Sequence, residues 1–115
     1  MNNVSLTASR YSPGYKIKTI FNNLFGYRYF RRMGCYGGCF LYAYIIEGNP
    51  YSVNDAKYYL NKKRGILDEI PETPENYARL RNIKYQIEDV EMFLDYVNTS
   101  PSVNERELII NEFNK

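Results

Sequence analysis

The residues best equipped for chemistry in this chain are eight consecutive ones, Phe25-Gly26-Tyr27-Arg28-Tyr29-Phe30-Arg31-Arg32. Rings interleaved with guanidinium groups suit single-stranded nucleic acid, whose bases stack on aromatic faces while arginines neutralise phosphates or stack in turn. Lys16 and Lys18 lie just upstream, and the candidate binding set is therefore Lys16, Lys18, Tyr27, Arg28, Tyr29, Phe30, Arg31 and Arg32. The same residues admit a second use. Tyr27, Tyr29 and Phe30 would serve equally as core or interface rings, with Arg28, Arg31 and Arg32 paired to acids of the same molecule or of a protein partner.

The charge distribution favours an external anionic partner. The first forty-six residues hold Arg10, Lys16, Lys18, Arg28, Arg31 and Arg32 and no acid, whereas all thirteen Asp and Glu fall from Glu47 onward. The front therefore carries +6, and the remainder, with nine bases against thirteen acids, carries −4, which together make the net +2. Such asymmetry is the usual footprint of nucleic acid or another anionic surface meeting one side of a molecule. Within the aromatic cluster, Gly26-Tyr27-x-Tyr29 resembles a fragment of the aromatic strand of RNA-recognition domains. The positions that would be basic, small and aromatic there are Phe25, Arg28 and Arg32 here, so the resemblance assigns no family.

Other chemistries are poorly provided for. Histidine is absent, which removes Ser-His-Asp and Cys-His nucleophile activation and most catalytic zinc sites. Cys35 and Cys39 stand four apart in CYGGC, and two thiolates do not complete a four-ligand zinc site; two reduced, partly buried thiols are expected. Gly34, Gly37 and Gly38 are not followed by Gly-Lys-Ser/Thr and do not form GxGxxG, so a turn or close packing is expected in place of a phosphate cradle. Glu88, Glu91 and Asp95 share a helix flank, but with Lys84 four residues before Glu88 and Glu75 four before Arg79 they read as a solvated charged surface. No cofactor, no metal and no enzymatic activity are expected.

The elements that would position the cluster follow from spacing. Residues 1–11 are polar and aperiodic, as in a loose arm. Ser12-Pro13 opens a helix over 13–25, with Ile17, Ile20, Phe21 and Leu24 on one face and Gly26 as its stop. Cys39–Ile46 is a continuous apolar run that fits a buried helix or a buried strand; a helix is favoured because one strand would have no partner. The longer stretch Met33–Ile46 falls short of the roughly twenty residues that span a bilayer, so no membrane insertion is expected.

In the second half, Ser52 with Asp55 predicts a capped helix carrying Val53, Ala56, Leu60, Leu67 and Ile70, ending or kinking at Gly65 behind Lys62, Lys63 and Arg64. Thr73-Pro74 starts a long helix whose Leu80, Ile83, Ile87, Val90, Leu94 and Val97 step by threes and fours, long enough for an antiparallel hairpin but not for a coiled coil. Ser102 with Glu105 caps a last helix with Leu108, Ile109, Ile110 and Phe113. The whole is expected to be a mainly α, small single domain over 12–115, its basic aromatic half (12–48) packed on an acidic helical half (52–115).

Thirteen Tyr and six Phe without Trp predict an aromatic core in which buried phenols need partners. Two cysteines and no recognisable leader predict a reducing, cytoplasmic setting. A composition rich in Asn, Ile, Lys and Tyr fits a low-GC genome such as that of a phage or mobile element, which would place the protein in the host cytoplasm. The expected function is that of a small non-enzymatic binding protein whose front half engages nucleic acid or a nucleoprotein. The alternative is an interaction or assembly component, a viral accessory or structural subunit, that meets only protein. Stoichiometry is left open, a homo-oligomer included.

Overall fold

The computed structural model describes residues 13–26 and 35–115. Among these the chain forms five α-helices and no strand: α1 (Pro13–Phe25), α2 (Cys35–Ile45), α3 (Ser52–Glu69), α4 (Tyr77–Asn98) and α5 (Val103–Phe113), with one 3-10 turn, Pro74–Asn76, ahead of α4. The expected mainly helical, single-domain architecture is the one observed. The expected arm, 1–11, lies outside the described residues.

α1 keeps the bounds its sequence dictates. Pro13 supplies a preset φ at the first turn, and Gly26 ends the helix at φ +88°, a left-handed conformation that suits glycine. The apolar run of α2 is a helix, and it begins four residues ahead of that run, at Cys35. α3 and α4 pack together as the expected hairpin, and α2 lies against both. α5 returns along α1.

Two expectations about α3 are corrected. Ser52 does not cap it: the residue before the helix is Tyr51, and the start is held by Asn49, whose Oδ1 accepts the Tyr51 N–H at 2.9 Å. Ser52 is instead buried inside the first turn, donating its hydroxyl to the Asn49 carbonyl at 2.9 Å. Gly65 does not end the helix either. The backbone hydrogen bonds run on to Glu69, and a side chain at Gly65 would meet nothing within 4 Å. The apolar residues beyond it, Ile66, Leu67 and Ile70, pack on the core and outweigh the glycine's poor helix propensity of about 1 kcal/mol. The similar Ser102-Glu105 motif does form a cap, the Glu105 N–H donating to Ser102 Oγ at 3.1 Å.

α4 is buried along two adjacent stripes. The first is the expected seam, with Leu80, Ile83, Ile87 and Val90 buried and Leu94 and Val97 partly so. The second, Asp89-Phe93-Tyr96, is also buried and faces α1 and α2. Phe93 packs against Phe40 and Tyr44, and Tyr96 sets its ring edge-on to Phe21 at 4.7 Å. These contacts fall in the C-terminal half of α4. The molecule is elongated, 47 Å against 29 and 27 Å, and the outer face of α4 from Tyr77 to Lys84 is open to solvent.

Candidate functional site

The candidate binding residues part company in the structure. Lys18 is fully buried, and its Nζ lies 2.5 Å from Asp89 Oδ1. It is therefore removed from the partner-contacting set: a charge counted outward from the sequence is directed inward. Lys18 falls inside because the buried face of α1 is wide. Gly14, Ile17, Lys18, Phe21 and Asn22 are all buried, and the stripe Gly14-Lys18-Phe21 faces α2 and α4.

The junction around Lys18 is built from small residues and one carboxylate. Asp89 Oδ2 accepts the Gly37 N–H at 3.0 Å, so a single side chain of α4 holds α1 through Lys18 and α2 through Gly37. Close approach of the three helices requires the glycines. A Cβ on Gly37 would collide with the Asp89 carbonyl oxygen and lie 2.8 Å from its Oδ1; one on Gly38 would collide with the Gly14 carbonyl and lie 2.9 Å from Lys18 Cδ. Of the two expected uses for these glycines, close packing is the one adopted.

Burial pushes the Asp89 carboxyl above its ordinary 3.8, while the Lys18 ammonium and the Gly37 and Tyr36 N–H groups pull it back. The folded carboxyl binds its proton more tightly than the unfolded one, so ionising it subtracts stability as pH rises through the folded pKa. The pair is thus a device of position more than of net stabilisation. Asp89 was not among the candidate residues. Its register with Phe93 and Tyr96, an acid on an aromatic stripe at steps of 4 and 3, is the signal that identifies it.

Lys16, two residues before Lys18, lies on the opposite side of α1 and is exposed. Its ammonium sits 4.4 Å from the centre of the Phe113 ring at the end of α5. Tyr27, Arg28, Tyr29, Phe30, Arg31 and Arg32 lie outside the described residues; the segment they belong to joins α1 to α2, the two helices that Asp89 holds.

The Cys39 side chain is half-buried, in a cleft of about 230 Å³ lined by Tyr36, Phe40, Ser52, Asp55 and Tyr59. Cys35 begins the same helix one turn earlier. Among the described residues no three of His, Cys, Asp and Glu are grouped to hold a metal. Of the acidic flank on α4, Glu91 is engaged by Arg64 across the hairpin at 2.6 Å, an exposed pair of the kind that contributes little. No described helix is long and apolar enough to cross a membrane. No family model, no curated protein and no solved structure matches the chain.

Proposed function

We propose that this is a small non-enzymatic binding protein whose basic aromatic N-terminal half engages single-stranded nucleic acid or a nucleoprotein. One observation carries the reading: an acid-free stretch of forty-six residues in which rings alternate with arginines at 27–32. The internal pairing of Lys18 sharpens it, because it withdraws that cation and moves the proposed contact to Lys16 and to Arg28, Arg31 and Arg32. Arginine suits the task, since its planar guanidinium bonds phosphate in a fork and stacks on rings. The low-GC composition fits an origin in a phage or mobile element.

The test is the salt dependence of binding to a labelled single-stranded oligonucleotide. Replacing Arg28, Arg31 and Arg32 by Ala should weaken binding and reduce the log–log salt slope by about 0.7 per lost phosphate contact. Affinity indifferent to salt would sink the proposal.

A second reading, an assembly component that meets protein only, is favoured by Tyr51 and Tyr58. Both rings are about 70% exposed and stand seven residues apart at the start of α3. In that case Tyr58→Ala would abolish self-association or partner capture, and oligonucleotide binding would be absent from the start.

A further inference from the structure

The described residues contain a second surface with the same chemistry as the front half, on the opposite half of the sequence. Tyr77, Arg81 and Lys84 follow one another at i, i+4 and i+7 along the exposed side of α4. With Glu72, Thr73 and Pro74 of the preceding connection they line an open groove of about 800 Å³. Tyr77 is 65% exposed, and the Arg81 guanidinium lies 5.7 Å from the centre of its ring. Neither Arg81 nor Lys84 is in an ion pair among the described residues. Glu72 is the one acid lining the groove.

The other hairpin groove makes the contrast. It is about 490 Å³, and its cations Lys57 and Arg64 face Glu91 and Asp95, with Arg64 and Glu91 already bonded. That groove is neutralised from within, whereas the groove at Tyr77 keeps a surplus of positive charge beside an exposed ring. From Asn76 to Ile87 the chain has Arg79, Arg81 and Lys84 and no acid, although its second half as a whole is acidic.

We infer that this groove is a second contact for a single-stranded nucleic-acid segment, with a base stacked on Tyr77 and backbone phosphates on Arg81 and Lys84. The inference rests on the nucleic-acid reading and extends it from one end of the chain to a surface on the hairpin. Two cations one turn apart neutralise neighbouring phosphates, and a solvent-facing phenol offers a base a platform that needs no sequence. A carboxylate-rich peptide would satisfy the cations but leave the ring without a use, and charge complementarity together with the ring therefore selects nucleic acid. Glu72 opposes binding at one edge of the groove and limits its strength.

The experiment uses the full chain and an oligothymidylate, with affinity read across a salt series. Glu72, Tyr77, Arg81 and Lys84 are exposed, so the melting temperatures of variants at these positions should stay at the wild-type value. Arg81→Ala with Lys84→Ala should lower the salt slope by about 1.4, the amount expected for two single-strand phosphate contacts. Tyr77→Ala should weaken binding by about tenfold. Glu72→Gln should strengthen it. Wild-type affinity in these variants, beside a loss in the Arg28, Arg31 and Arg32 variant, would overturn the groove and leave the nucleic-acid reading standing. Absence of binding by the unmodified protein would overturn both. If polyglutamate competes as well as the oligonucleotide and Tyr77→Ala changes nothing, the groove is a contact for acidic protein and the inference fails.

Discussion

α4 supports two regions of the molecule by opposite means. Toward the hairpin it offers an apolar seam of Leu, Ile and Val, in which each residue contributes through the area it removes from water. Toward α1 and α2 it offers Asp89, held by Lys18 and the Gly37 N–H, where contact depends on charge, direction and the absence of side chains at two glycines. Seam packing tolerates a change of side chain if volume is kept. The junction does not tolerate a one-sided change, because a buried charge deprived of its counter-ion keeps its desolvation cost. The hairpin thus supplies stability, and the junction fixes where the helices flanking segment 27–34 must lie.

The largest effect should come from breaking the junction on one side. Asp89→Ala leaves the Lys18 ammonium buried without its counter-ion, and a loss of about 3–5 kcal/mol is expected, a large share of the stability of so small a domain. Denaturant unfolding measures it directly. Replacing both partners, Lys18→Met with Asp89→Leu, should recover part of that loss, because the desolvation cost goes with the charges while the buried Gly37 N–H is left without its acceptor. A double variant as unstable as the single one would show that the damage is one of shape, and the contrast with the seam would disappear.

On the seam, Ile87→Ala should cost about 2–5 kcal/mol by thermal or denaturant unfolding, according to how far α3 closes over the cavity. No compensating partner exists for it, in contrast to Asp89. An alkaline titration probes the junction's aromatic flank. Burial, with the Glu105 carboxylate beside it, pushes the Tyr96 phenol well above its ordinary 10.0. The unfolded chain releases that proton first. The contribution of Tyr96 to stability is therefore complete below pH 10 and is lost as pH rises beyond it, and Tyr96→Phe should remove this component of alkaline unfolding. The smallest effect is a gain. Gly65→Ala places a methyl in open space within a helix interior, and stability should rise by about 0.4–1 kcal/mol. A loss would mean that α3 breaks at Gly65 in solution.

The same comparison separates what was legible in the sequence from what was not. The bounds of α1 and the seam of α4 could be read because both rest on local periodicity, and the Ser102 cap because its two groups are three residues apart. Gly65 misled because a local stop signal was outweighed by burial further along the helix. Ser52 misled because the turn at Asn49 took over the start of α3. Lys18 and Asp89 were beyond local reading: they are seventy-one positions apart, and each alone looks like a surface charge. A wider buried stripe on α1 and the register of Asp89 with Phe93 and Tyr96 were the only local traces. The candidate binding residues rest on composition and charge, which rank partners by chemistry without specifying the geometry that receives them, and six of the eight lie outside the described residues.

The salt slope of oligonucleotide binding, measured for two variants side by side, separates Lys18 from the arginines. Lys18 is an internal tie, and the nucleic-acid contact proposed above is assigned to Arg28, Arg31 and Arg32. Lys18→Met with Asp89→Leu should bind with the wild-type slope, and the triple arginine variant should have a shallower one by about 0.7 per lost phosphate contact. A slope that falls with the Lys18 and Asp89 replacements and holds with the arginine replacements, or binding that ignores salt in every variant, would contradict that assignment.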